Sequence, residues 1–229
     1  MTAAHLIIGE CAAYLLTDSA TYRPDGTVID LRPKVITSTE LRLAVCGNGE
    51  TWEAKPSLIK RWLSEQPSAD AAIEALPSLV AILRADFEAL YARHGLPCPL
   101  HDSDAWPPRM FNLFVAIWSE GRQQPEGYAI SSRGSAFYGY LEKVLSGGVC
   151  RVKAHIQPPA ELVFDPNHAE RDGLALLEVQ RRYAMPDGTY IVGGTAQLTT
   201  VNEAGVLTTV LRQWSDGIGQ RINPIAEVQ

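Results

Sequence analysis

Residues 2–49 read TAAHLIIGECAAYLLTDSATYRPDGTVIDLRPKVITSTELRLAVCGNG, and this stretch decides which fold the chain is expected to adopt. Two short apolar segments, at 3–8 and 12–17, flank Gly9 and Glu10, a pattern typical of two strands joined by a tight turn. A hairpin of this size folds its strand ends back toward each other. We therefore expect Asp18 to lie beside Thr2.

A second pair of apolar segments follows. Lys34 opens the segment KVIT, and a polar turn at 38–40 leads into LRLAVCG at 41–47. Both segments predict strands. If all four strands lie in one sheet, Lys34 joins Thr2 and Asp18 at a single edge. That edge is a candidate active site.

These residue types fit the chemistry of an N-terminal threonine nucleophile. A threonine hydroxyl needs an adjacent base, and one known solution uses the threonine's own α-amine, whose ordinary pKa of about 7.7 to 8.0 suits proton transfer. Lys34 would lower the pKa of that amine further, and Asp18 would keep the lysine charged, because a buried cation without a partner is costly. Gly47, expected in the turn after the fourth strand, would offer a backbone N–H to a developing oxyanion.

Each signal also has an ordinary structural explanation. Thr2 is a small residue of the kind that permits removal of the initiator methionine. A TDS tripeptide ending at Ser19 after a strand is typical of a turn or a helix cap. Lys34 after Pro33 also fits the solvated start of a strand. The joint spacing, sixteen residues from Thr2 to Asp18 and sixteen more to Lys34, favours the catalytic interpretation.

The stretch resembles the start of proteasome β-subunits and their simpler bacterial relatives, the N-terminal nucleophile hydrolases of the threonine class. Those proteins begin with threonine after processing, run strand, turn, strand to a TDS- or ADS-like motif, and reach a KV or KI lysine at this spacing. From Thr2 to Lys34 the register needs no gap, whereas Gly47 falls one residue off the family position. The resemblance implies Thr2 as nucleophile and base, Asp18 and Lys34 as the pair that tunes it, and Gly47 as oxyanion donor.

The resemblance also implies an α+β fold: a four-layer αββα sandwich of two antiparallel sheets flanked by helices, formed by residues 1–229 as a single domain. The later chain fits this pattern. Helical spacing is seen at 57–66 and 71–94, where we expect Pro77 to start a new helix. Strands are predicted at 110–119 and 128–132, a helix after Asp165 with Tyr183 facing inward, and a final hairpin after Gly193 and Gly194.

Three features depart from the family or are only partly assigned. The glycine-serine-glycine turn of the family is replaced by SAFYGYLEKVLSGG after Gly134, and none of Ser131, Ser132 and Ser135 is assignable as the supporting serine. Asp187 lies near the position of another supporting aspartate. The register would also place Thr21, Arg32 and Cys46 on the wall of the substrate pocket, with an exposed arginine beside a proline as the alternative explanation of Arg32.

Composition excludes several classes of protein. Hydrophobic residues make up 46% of the 229 and charged residues 20%, as in ordinary globular proteins. A net charge of −6 without a basic stripe argues against a nucleic-acid or anionic-membrane surface. The start lacks a basic leader, and no apolar stretch is long enough to cross a membrane. With four widely spaced cysteines that fit free thiols, we expect a cytoplasmic protein.

The segment 95–108 contains Cys98 and His101 but no second pair of ligands, so it predicts a surface loop, and we expect neither metal nor cofactor. The leading hypothesis is a threonine peptidase subunit that cleaves peptide substrates after Met1 is removed. By resemblance, it would assemble into a homo-oligomeric ring and partner an ATP-dependent unfoldase. The alternatives are a non-catalytic structural or assembly subunit of the same fold, and a related amidohydrolase acting on a small amide.

Overall fold

The computed structural model describes residues 3–49, 56–96, 98, 111–131, 141–144, 149–156 and 164–225, and most of its regular structure is antiparallel sheet. The strands are β1 (Ala4–Ile8), β2 (Ala12–Thr17), β3 (Ala20–Tyr22), β4 (Val28–Leu31), β5 (Ile36–Ser38), β6 (Leu43–Gly49), β7 (Phe111–Ser119), β8 (Gln124–Ser131), β9 (Leu141–Val144), β10 (Val149–Val152), β11 (Ala154–His155), β12 (Thr195–Asn202) and β13 (Gly205–Gln213). The helices of this part of the chain are α1 (Pro56–Ser64), α2 (Ala69–Arg93) and α3 (Ala169–Arg181), with a short 3-10 helix at Pro166–His168.

The strands form two larger sheets and one small one. The five-stranded sheet has the order β11-β1-β2-β12-β13, and the six-stranded sheet has the order β5-β6-β7-β8-β10-β9. Strands β3 and β4 pair separately. The expected mixture of helices with antiparallel sheets is thus confirmed, as are the first hairpin, in which Ala4 lies opposite Thr17, and the final hairpin of β12 and β13.

The four predicted strands, which are β1, β2, β5 and β6 of the structure, do not lie in one sheet as was assumed. Strands β1 and β2 belong to the five-stranded sheet, whereas β5 and β6 belong to the six-stranded one. The reason is long-range pairing: β6 pairs with β7 from Leu43 opposite Ile117 to Gly49 opposite Phe111, and β2 has β1 on one side and β12 on the other. Lys34 precedes β5, so it approaches Asp18 from the opposite sheet.

Three groups of buried apolar side chains join these elements. One contains residues of both larger sheets, including Leu6 and Leu15 from the first and Phe114 from the second. A second joins α1 and α2 to the six-stranded sheet, and a third joins α3 to the five-stranded sheet. Strand β7 is almost wholly buried along its length, which explains why its sequence is apolar throughout instead of alternating.

The structure corrects the prediction for Pro77. Helix α2 begins after Ser68, whose side chain accepts a hydrogen bond from the Ala71 N–H at 3.1 Å, and it continues through Pro77 to Arg93. A proline inside a helix costs about 3 kcal/mol. The buried residues on both sides of it, among them Leu76 and Leu79, pack in the cluster with the six-stranded sheet, and their burial outweighs that cost.

Helix α3 differs from the prediction at Tyr183. Tyr183 lies beyond the helix and is 49% exposed, so its predicted inward orientation was wrong. Gln180 and Arg181 are buried instead.

No helix among the described residues is both long and apolar enough to pass through a membrane.

Candidate active site at the Asp18 carboxylate

The centre of the site is the buried ion pair of Asp18 and Lys34. Asp18 follows β2 directly, and Lys34 lies in the segment that leads into β5 of the other sheet. The Lys34 ammonium donates a hydrogen bond to Asp18 Oδ1 at 2.7 Å, and the side chains are only 5% and 0% exposed. The sequence prediction that these two residues converge is therefore confirmed, although by packing of two sheets and not along one.

Three backbone N–H groups also point at this carboxylate. Ala3 donates to Oδ1 at 3.1 Å, while Gly193 and Ala20 donate to Oδ2 at 3.2 and 3.3 Å. Ala3 is the residue next to Thr2 in the sequence. Hydrogen bonds to an ionised acceptor are stronger than neutral ones. Asp18 therefore ties the start of β1, the segment before β12 and the Lys34 side chain to one point.

Burial makes Lys34 an unusual lysine. Loss of solvent lowers its pKa below the ordinary value, while the charge of Asp18 and the hydrogen bond to it oppose that change. Arg32 lowers the Lys34 pKa further. Lys34 donates to no group other than Asp18 among the residues that the structure describes. Its ammonium therefore has donors to offer beyond those that its carboxylate partner occupies.

Two neighbours of the pair, Cys46 and Arg32, were candidates for the wall of a substrate pocket. Cys46 is fully buried, and burial raises the pKa of its thiol, so it is an unreactive thiol and not an exposed pocket residue. Arg32 forms an ion pair with Asp30 at 3.2 Å in which both side chains are 44% exposed. The explanation of Arg32 as a surface arginine therefore describes its setting, although it remains close enough to influence Lys34 electrostatically.

Gly47 does not lie in a turn, so that part of its prediction was wrong. It lies inside β6, opposite Leu113 of β7, because pairing with β7 extends β6 as far as Gly49. On the other side of β6, pairing with β5 ends at Val45. Beyond Val45, the β5-facing edge of β6 has no strand partner among the described residues.

The sequence did not reveal the hydrogen bonds that hold the Gly193-Gly194 segment, which leads into β12. Gly194 has a positive φ of 78°, and its N–H donates to Asp216 at 2.8 Å. Asp216 in turn forms a buried, two-bond ion pair with Arg181, whose guanidinium also donates to the Val192 carbonyl at 2.8 Å. The only signal available in the sequence was the Gly193-Gly194 pair.

The aspartate beside this glycine pair is thus Asp216, whereas Asp187, the expected supporting residue, lies at an exposed turn and accepts a hydrogen bond from the Thr189 N–H. Ser131 is a buried residue at the end of β8.

Several predicted residues lie outside the described ranges: Thr2, Ser132, Ser135 and His101. Within those ranges, no group of three or more histidine, cysteine, aspartate and glutamate side chains is arranged to hold a metal ion.

No protein-family model matches the chain, and no curated protein matches its sequence.

Proposed function

We propose that this protein is a proteasome-like threonine peptidase subunit, in which Thr2 becomes the N-terminal nucleophile after Met1 is removed. One observation carries the proposal: the Ala3 N–H and the Lys34 ammonium donate to the same oxygen of Asp18. The two nitrogens can therefore be no farther apart than the 3.1 and 2.7 Å bonds combined. The Ala3 nitrogen is the atom that joins the chain to Thr2, so the proposed nucleophile is attached at the ion pair.

The proposed chemistry assigns each group a step. The Thr2 hydroxyl passes its proton to the α-amine while its oxygen attacks the substrate carbonyl carbon. The resulting oxyanion accepts a hydrogen bond from a backbone N–H, and Gly47 is the candidate donor. The α-ammonium then returns the proton to the departing amine as the C–N bond breaks. Water, deprotonated by the same amine, adds to the ester carbonyl; the bond from that carbon to the Thr2 oxygen then breaks, and the ammonium returns the proton to the Thr2 oxygen. The positive charge of Lys34 lowers the pKa of the neighbouring α-amine and so favours its neutral form, which can act as the base.

The packing of the sheets supports the finer fold assignment. Apolar clusters join α1 and α2 to the six-stranded sheet, that sheet to the five-stranded sheet, and the five-stranded sheet to α3. This order of contacts supports our proposal of a four-layer αββα sandwich of the N-terminal nucleophile hydrolase type. The resemblance further leads us to propose a homo-oligomeric ring that works with an ATP-dependent unfoldase.

The β5-facing edge of β6 beyond Val45, which has no strand partner among the described residues, supports a peptide substrate. Because β5 pairs with β6 only as far as Val45, an extended chain could add to β6 alongside Gly47. Main-chain hydrogen bonds of this kind hold a peptide without requiring a particular side chain. The scissile bond would then pass close to the Asp18 and Lys34 pair.

The test combines mass and activity. Intact mass of the protein purified from its native host reports whether Met1 is removed. We then expect a fluorogenic peptide library to be cleaved by the wild type, cleavage to disappear in Thr2→Ala, and partial cleavage to survive in Thr2→Ser. A peptide vinyl sulfone should label the wild type at residue 2 and leave Thr2→Ala unlabelled. Quantitative retention of Met1 in active material would refute the mechanism.

A non-catalytic subunit is the second candidate. The departure from the glycine-serine-glycine turn after Gly134 favours it, because a nucleophile without its supporting residues is positioned loosely. On this hypothesis, Thr2→Ala changes no measurable activity, whether or not Met1 is removed. Retention of Met1 excludes the peptidase, whereas its removal is compatible with both candidates, and the comparison of Thr2→Ala with the wild type then separates them.

A further inference from the structure

The outer edge of β13 differs from the other sheet ends. This strand closes one end of the five-stranded sheet and is nine residues long. The other ends of the two larger sheets are β11, β5 and β9, with two, three and four residues. Short edge strands are one way in which proteins prevent pairing with other chains. Strand β13 lacks this protection.

The sequence of β13, GVLTTVLRQ, offers little other protection, although a bulge interrupts its pairing with β12 between Val210 and Arg212. It contains no proline, lysine or acidic residue, and its one charge, Arg212, is directed to Glu178 at 2.9 Å. Leu207 and Val210 are 66% and 57% exposed. Among the described residues, β13 pairs with β12 alone, so the backbone groups of its other edge have no strand partner there.

We propose that β13 pairs antiparallel with β13 of a second copy of this chain, so that two five-stranded sheets become one continuous sheet across a two-fold axis. An isologous contact of this kind needs one surface that complements itself. With the axis at Thr208, Val206 lies opposite Val210 of the other copy, and Leu207 lies opposite Thr209. Residues that differ by an even number share a sheet face, so the apolar pairs meet on one side.

Charge complementarity selects a second copy as the occupant. In this register, Arg212, which binds Glu178 through Nη1 and is 53% exposed at its side chain, comes near the β12–β13 turn of the other copy, which carries the exposed Glu203. The contact therefore forms two symmetric pairs of opposite charge at its ends and keeps like charges away from its centre. This inference involves neither Asp18 nor Lys34 and does not rest on the proposed peptidase activity.

The first experiment measures the association of the full chain by sedimentation velocity over a range of concentrations. We expect the wild type to associate and Val210→Lys to associate at least tenfold more weakly, because two new lysines would face an apolar contact. Ile218→Lys is the matched control, since Ile218 is also 66% exposed but lies outside β13. Thermal unfolding checks that both variants fold. A wild type that stays monomeric, or equal effects of the two variants, would overturn the proposal.

The second experiment tests the register. In a Cys11→Ser background, which removes the exposed native thiol, Thr208→Cys should form a disulfide-linked dimer under mild oxidation. Residues directly opposite in an antiparallel pair have Cα atoms about 4.5 to 5.5 Å apart, within the range a disulfide spans. Leu207→Cys should cross-link much less, because its opposite residue is Thr209. Equal cross-linking of both variants, or none by Thr208→Cys, would overturn the two-fold pairing.

Discussion

Substituting Asp18 by asparagine tests the ion pair at the centre of the candidate site. The asparagine keeps the shape of the side chain but removes the charge that balances Lys34, which is 5% exposed at its side chain. It also turns an N–H2 group toward N–H donors, either those of Gly193 and Ala20 or those of Ala3 and Lys34. Leaving one member of a buried ion pair unpartnered costs about 3 to 5 kcal/mol.

We expect a loss of about 3 kcal/mol, at the lower end of that range. Burial already lowers the pKa of Lys34, so without Asp18 the lysine can shed its proton in place of remaining as a buried charge. Lys34→Met removes the unpartnered charge altogether. The double variant should therefore be more stable than the two single losses predict, with a coupling free energy of about 2 kcal/mol.

The assay is urea unfolding of the four members of this cycle, followed by tryptophan fluorescence at neutral pH. Asp30→Asn provides the control, because Asp30 forms a comparable ion pair with Arg32 at the surface, where both side chains are 44% exposed. Such a pair contributes about 0 to 1 kcal/mol. If Asp18→Asn costs no more than Asp30→Asn, or if the cycle is additive, the argument for a buried, coupled pair fails.

Three further predictions concern stability. Burial lowers the pKa of both His5 and His155 to about 4 from 6.5, so the unfolded chain takes up these protons before the folded chain does. Each histidine should contribute about 3 kcal/mol of stability that is present above pH 6.5 and lost as the pH drops to 4, and His5→Asn should remove about half of the combined loss in urea unfolding at several pH values. Gly194→Ala should lower the melting temperature more than Gly95→Ala: both glycines have positive φ, but a Cβ at Gly194 would clash with Ser19 Oγ, whereas nothing lies within 4 Å of a Cβ at Gly95. Ser68→Ala should lower the free energy of unfolding in urea by about 1 kcal/mol, because the Ser68 hydroxyl caps α2. An unchanged free energy of unfolding would contradict the capping role.

Much of the local structure could be predicted because its signals are short-range. The turn at Gly9 and Glu10 sets the register of β1 and β2, and that register brings Asp18 to the start of the chain. The final hairpin was readable for the same reason. Pro77 misled the prediction because local propensity favours a helix start there, and only the apolar contacts of α2 with the six-stranded sheet outweigh it.

The amino-acid sequence by itself determined the first and last hairpins and the strand segments at β5, β6 and β7, because turn residues and apolar spacing act over a few residues. The convergence of Asp18 and Lys34 was predicted from their spacing and its resemblance to a known family, on the assumption of a single sheet. Only the tertiary structure decided that Lys34 reaches Asp18 from a second sheet and that Gly193 donates to the same carboxylate across 175 residues of chain. It also decided that Arg181 and Asp216 support the glycine pair. These contacts depend on which strands pair and which faces are buried together, and such choices are settled by the packing of the whole chain and not by any one stretch of it.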